Sequence, residues 1–264
     1  MNPKFSRGIR TLFLSLCLAA AAPASASSTL TNFSDLWWTP AESGWGLNVT
    51  QQADVMFLTF YVYGSNGQPT WYTALVVDQG LQTDGSTLFS GNLYQSSGPW
   101  FGGPYNPSLV NTSHVGSASF RGTSTTAATL TYVVGNVTVV KQIERFLLRT
   151  DNFAGNYLGG TSDITSNCAL ASNNGFRSEE SGAFTVAHIG SVMEIRSPAC
   201  TYTGSHQQQG QVSRFDGSYT CTNGAFGTVS FFDLRIEPGG ITGRYAGNGS
   251  SCDFSGNIGL GRRK

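Results

Sequence analysis

VMFLTFYVY, residues 55–63, is the stretch whose reading decides the fold. Nine residues without a charge or a proline, rich in β-branched and aromatic side chains, favour an extended strand. Neighbouring side chains of a strand point to opposite faces. Val55, Phe57, Thr59, Tyr61 and Tyr63 therefore line one side, and Met56, Leu58, Phe60 and Val62 the other. Both sides are largely apolar, which predicts a strand covered on both faces. Left on an open edge, such a segment would promote aggregation, so it is expected to have paired neighbours.

The flanking sequence supplies those neighbours. GWGLNVTQQ precedes the run, and Ala53-Asp54 can close a tight hairpin between the two. GSNGQP (64–69) carries an Asn-Gly pair, which accepts positive φ, and a proline that ends the turn. Thr70–Val77, Leu88–Tyr94 and Val115–Arg121 follow as strands, and TLTYVV and VTVVKQIERF flank a turn at Gly135-Asn136. Seven strands within residues 45–148 predict an all-β fold, an antiparallel sandwich or a small barrel. Ser96–Ser113, with three prolines and Gly102-Gly103, reads as a long irregular connection, the kind of loop that often carries function.

The rest of the 264-residue chain agrees with this class. Gly is frequent at 33 residues and charged residues make up only 11%, a balance that favours strands and turns over long helices. Residues 1–26 have the form of a secretory signal, with basic Lys4, Arg7 and Arg10, an apolar run Leu12–Ala22, and small residues Ala24-Ser25-Ala26. That run is too short to span a bilayer, and Cys17 lies inside it, where lipidation is not expected. Without the leader, 12 basic and 15 acidic residues remain, a net charge of −3. Nothing here resembles the clustered basic surface of a nucleic-acid binder, and no membrane span is expected. The sequence predicts a secreted or periplasmic protein with a Trp-rich β-domain over 27–150 and a second β-domain over 151–264.

The second half carries Cys168, Cys200, Cys221 and Cys252. FAGNY (153–157) is echoed by FDGSY (215–219), and CTYTG (200–204) by CDFSG (252–256). These echoes suggest a duplicated β-meander, each copy closed by its own disulfide, Cys168–Cys200 and Cys221–Cys252. The two other pairings remain open. Neither a Cys-x-x-Cys motif nor clustered histidines point to a metal, and none is expected.

In the first half, SDLWWTPAESGWGLNV (34–49) sets Trp37 and Trp38 side by side, so one is buried and the other exposed or covered by a second layer. Pro40 breaks the strand and Ala41-Glu42-Ser43-Gly44 turns the chain into Trp45, a spacing that could equally place a buried plug at the mouth of a barrel. The run DLWWTPAESGWGLNVTQQADVMF, with YVYGSNGQPTWY, GNLYQSSGPWF and TYVVGNVTVVKQIERF, resembles a secreted β-rich module of bacterial, largely proteobacterial, proteins. The likeness covers residues 32–149 and departs from the pattern at Ala53, where glycine is expected. It implies a β fold and export. The module has no established activity, so no reaction follows.

Trp37, Trp38, Trp45, Trp71, Tyr72, Trp100 and Phe101, with Glu42, form the candidate ligand surface. Aromatic faces stack on the C–H faces of sugars, and the ligand class is a neutral glycan or an apolar small molecule. Asp35 and Glu42 are the one acidic pair inside the tryptophan cluster and define the alternative of a glycosidase-like hydrolase. A purely structural cell-envelope protein is the third reading. There is no Gly-x-Ser-x-Gly elbow, phosphate loop or dinucleotide fingerprint, and neither catalytic residues nor cofactors are assigned. His188 lies in a strand-like segment and His206 in the polar stretch SHQQQGQ, which reads as a loop.

Overall fold

The computed structural model describes residues 31–263, so the expected signal segment and Cys17 lie outside the described residues. Two closed antiparallel barrels of eight strands each follow one another along the chain. The first comprises β1 (Asp35–Trp38), β2 (Gly46–Gln52), β3 (Val55–Tyr63), β4 (Pro69–Leu81), β5 (Thr87–Ser97), β6 (Asn111–Gly122), β7 (Ala127–Val134) and β8 (Val137–Arg145). Each strand pairs with the next, and β1 closes on β8 with Trp37 opposite Arg145. Closure leaves no free edge for a run such as VMFLTFYVY to expose.

The second barrel comprises β9 (Gly155–Ser166), β10 (Arg177–Ile189), β11 (Val192–Arg196) and β12 (Cys200–Gln209). It continues with β13 (Val212–Cys221), β14 (Phe226–Glu237), β15 (Gly240–Gly249) and β16 (Asp253–Arg262), and β16 closes on β9. The turns match the sequence signals. Ala53-Asp54 and Gly135-Asn136 are two-residue hairpins, with φ of 50° at Ala53 and 57° at Gly135.

Three expectations need correction. VMFLTFYVY is covered on one face only. Met56, Leu58 and Phe60 are fully buried in the barrel, whereas Phe57, Tyr61 and Tyr63 are exposed on its outside. A lone barrel has one interior, and a second layer covering that side of β3 is not present among the described residues. The long irregular connection is shorter than Ser96–Ser113, because β5 runs to Ser97 and β6 starts at Asn111.

The third correction concerns the disulfide pairing of the second half, whose echoing segments, β9–β12 and β13–β16, close together into one barrel. FAGNY leads into β9 and FDGSY lies in β13, two strands of one barrel. The disulfides are Cys168–Cys252 and Cys200–Cys221. Strand pairing explains both. β9 lies beside β16 with Ser166 opposite Asp253, which brings Cys168 to Cys252, and Cys200 faces Cys221 directly across β12 and β13.

A further correspondence runs between the barrels. Trp37 Nε1–H donates to the Phe33 carbonyl at 2.9 Å, and the Tyr157 hydroxyl donates to the Phe153 carbonyl at 2.7 Å. The Arg145 guanidinium stands 4.9 Å from the Trp37 ring, and that of Arg262 stands 6.0 Å from the Tyr157 ring. Each barrel thus opens with a buried phenylalanine whose carbonyl is held four residues on, and ends with an arginine over that second ring.

The two barrels are joined at these ends. Arg145 is fully buried against Asp35 at 3.0 Å and also donates to the carbonyls of Thr125, Ser34 and Asn32. Burial pulls the Arg145 guanidinium down to about 10, with Asp35 opposing the shift, so it stays charged at neutral pH. Across the joint, the Gln211 backbone N–H donates to Asp35 at 2.8 Å and Arg235 donates to the Asn32 carbonyl at 2.8 Å. Gly210 is obligatory at this contact, since its φ is 57° and a Cβ would sit 2.3 Å from the Asp35 carboxylate.

Candidate functional site

In a meander whose odd strands start at the joint, the turn after β1, the β3–β4 turn and the loop after β5 all lie at the far end of the first barrel. The candidate residues separate here into three groups.

Trp37 belongs to the core. It is 1% exposed and packs edge-on against Phe120 at 5.1 Å, with its ring inside the barrel. Trp45 and Tyr72 point inward and pack against the core at the far mouth, beside Tyr132. Glu42 folds over that mouth, accepting from Trp45 Nε1–H at 3.1 Å and from the Lys141 ammonium at 2.8 Å. Trp45, Tyr72 and Glu42 close the barrel mouth.

Trp38, Trp71, Trp100 and Phe101 remain for an external ligand. Trp71 stands on the outer face of β4 and is 46% exposed. Trp100 and Phe101, in the loop between β5 and β6, are 79% and 102% exposed. Together with Ser96, Ser97, Tyr105 and Val110 these rings border a hollow of about 610 Å³. Gly102 and Gly103 shape it. A Cβ at Gly102 would fall 2.5 Å from the Trp100 ring, so glycine lets the indole fold onto its own loop. Hydroxyl and amide groups edge this region, with Ser96 bonded to Thr112 at 2.9 Å and Gln95 to Thr70 at 3.2 Å. The hollow is not lined by any charged side chain.

The reading of residues 55–63 as covered on both faces obscured Tyr61, which is 56% exposed and sits opposite Trp71 in the β3–β4 register. Its signal was present in the alternation. The side bearing Thr59, Tyr61 and Tyr63 carries hydroxyls, whereas Met56, Leu58, Phe60 and Val62 carry none.

Asp35 and Glu42 do not form a catalytic pair. Asp35 is locked against Arg145 at the joint, and Glu42 against Lys141 at the far mouth. Those partners lie four residues apart on β8, about 13 Å along a strand, and the two carboxylates face different surroundings. The Lys141 ammonium, hydrogen-bonded to Glu42, holds its carboxyl below the usual carboxylate range, the opposite of what a general acid requires.

The histidines of the second barrel are packed. His206 lies in β12, not in a loop, and is 5% exposed. Its ring centroid is 4.4 Å from that of His188, and Phe153 lies against both. The Phe153 N–H donates to His188 Nδ1 at 3.2 Å, and both Nε2 atoms lack a partner among the described residues. Burial, then His188, pushes the His206 imidazole down to about 4. Among the described residues no group of three His, Cys, Asp or Glu is placed to hold a metal ion, and no helix is long and apolar enough to cross a membrane. No protein-family model, curated protein or solved structure matches the chain.

Proposed function

We propose that this is an exported, non-catalytic binding module that takes a neutral glycan on the outside of its first barrel. The observation that carries the reading is the hollow between Trp71 and the Trp100-Phe101 loop, in which exposed rings from two elements converge without a charged side chain. Its volume falls within the range of small-ligand sites. Exposed indoles that stay in water cost free energy unless a partner covers them, and sugar C–H faces suit them, with the hydroxyls of Ser96, Ser97 and Tyr105 lining the same hollow. An apolar small molecule is less well served by so many hydroxyls and amides.

Two disulfides favour an oxidising compartment, secreted or periplasmic. The lumen of each barrel is filled with apolar side chains, the reverse of lipid-embedded barrels with their polar interiors. A purely structural envelope role would call for a filled surface rather than an open aromatic hollow.

The test is co-sedimentation with insoluble cellulose, chitin and β-1,3-glucan, comparing the wild-type protein with Trp71→Ala and Trp100→Ala. Retention of the wild type on one of the three, lost in both variants, supports the reading. Equal recovery of all three proteins in the supernatant overturns it.

A further inference from the structure

Resting on the proposed glycan reading, we infer a second sugar subsite at Gly46, which makes the ligand a polymer engaged at two points rather than a mono- or disaccharide. Leu47 points into the core, so Gly46 faces outward. On one side it lies opposite Tyr61 in the β2–β3 register, and on the other the β1–β2 register sets it beside Trp38. A residue without a side chain thus stands between two aromatic rings. The result is a slot of about 300 Å³ bordered by Trp38, Gly46, Tyr61 and Phe146. Trp38 forms a fixed wall, because Phe146 packs edge-on against it at 4.9 Å.

Glycine is not required at this position by the fold. Its backbone φ is not positive, and a Cβ would meet only the Trp37 carbonyl oxygen, at an ordinary 3.6 Å. Here the backbone tolerates a side chain, and what the glycine keeps open is the slot itself.

The slot and the first hollow lie on neighbouring strands. Tyr61 borders the slot, Trp71 borders the hollow, and the two face each other across β3 and β4. Gly46 and Trp71 are two strands apart, about 10 Å at the usual strand spacing. The slot, like the hollow, is not lined by any charged side chain, which selects a neutral chain over uronic-acid or sulfated polymers. A concave slot walled by aromatic rings suits a sugar ring better than the flat surface of a protein partner. Two subsites on one polymer act through effective concentration, so affinity should climb steeply once a chain reaches both.

The experiment is calorimetric titration with cello-, chito- and laminari-oligosaccharides of two, four and six sugars, using the full chain. The wild type is expected to bind the six-sugar member of one series at least tenfold more tightly than the two-sugar member. Gly46→Val is expected to erase that gain while retaining disaccharide affinity and wild-type unfolding by tryptophan fluorescence. Equal affinity for short and long oligosaccharides, or a length gain that survives in Gly46→Val, overturns the second subsite and leaves the proposed function standing. Failure of every oligosaccharide to bind overturns both. A wild-type dimer in sedimentation that Gly46→Val dissociates assigns the slot to a second copy and overturns the inference.

Discussion

The first barrel holds all five tryptophans and no cysteine, and the second holds four cysteines and no tryptophan. Strand number and direction are the same, and each barrel opens on a buried phenylalanine and ends on an arginine over an aromatic ring. The difference shows how one closure can be held in two ways. The first barrel is filled by Phe33, Trp37, Phe60, Phe89 and Phe120, rings that each contribute about 1.5–3 kcal/mol on burial. The second relies more on tyrosines with hydrogen-bonded hydroxyls, such as Tyr245 donating to Asp163 at 2.7 Å, and on two disulfides at the end away from the joint. Burial raises the Tyr202 phenol to about 12, so these hydroxyls remain protonated donors at neutral pH. A barrel stabilised from within has its outer face free for a ligand, and the exposed rings are found there.

Because every tryptophan lies in the first barrel, indole fluorescence reports that barrel alone, and the comparison can be broken experimentally. The largest expected effect is on the second barrel. Replacing Cys168 and Cys252 by serine should cost about 4–5 kcal/mol, and replacing Cys200 and Cys221 about 3 kcal/mol, from the entropy of loops whose ends are 84 and 21 residues apart. Amide exchange in β9–β16 should accelerate while the indole transition stays near its wild-type midpoint. A common shift of both would show that the barrels unfold as one unit.

Breaking the joint comes next. Arg145→Ala leaves the Asp35 carboxylate buried without its cation and should cost about 3–5 kcal/mol in urea unfolding followed by indole fluorescence. An effect below 1 kcal/mol would mean that the Arg145–Asp35 pair is solvated rather than buried.

Acid should act on the second barrel. The His206 imidazole, held near 4 in the fold against 6.5 in the unfolded chain, is neutral when folded and takes up a proton on unfolding between those values. The unfolded state therefore binds more protons in that window, and stability falls as pH falls from 6.5 to 4, by about 1–3 kcal/mol. His206→Leu should flatten this dependence, as read by thermal unfolding at pH 7 and pH 4.5. The smallest effect belongs to Ala53→Gly, which relieves a φ of 50° and should stabilise the first barrel by about 0.5–1 kcal/mol.

Much of the fold was legible from local signals. The alternation of residues 55–63, the Asn-Gly at 66–67 and the Gly-Asn at 135–136 place strands and turns without long-range information. What was not legible depends on closure. Nothing local says that β9 neighbours β16, so the even spacing of the cysteines suggested the wrong partners. For the same reason VMFLTFYVY was read as covered twice, since a hydrophobic outer face is indistinguishable in sequence from one beneath a second layer. Of the candidate site, Trp71, Trp100 and Phe101 do converge, whereas Trp37 fills the core and Trp45, Tyr72 and Glu42 close the mouth. Gly46 and Tyr61 escaped notice because their importance lies in cross-strand register.

The most direct measurement is the set of indole N–H signals in a ¹H–¹⁵N spectrum, one for each of the five tryptophans, during titration with a neutral hexasaccharide that the protein binds. Binding on the outside of the first barrel predicts shifts at Trp38, Trp71 and Trp100, with Trp37 unmoved. Saturation without change at those three, or changes confined to amides of β9–β16, would contradict it.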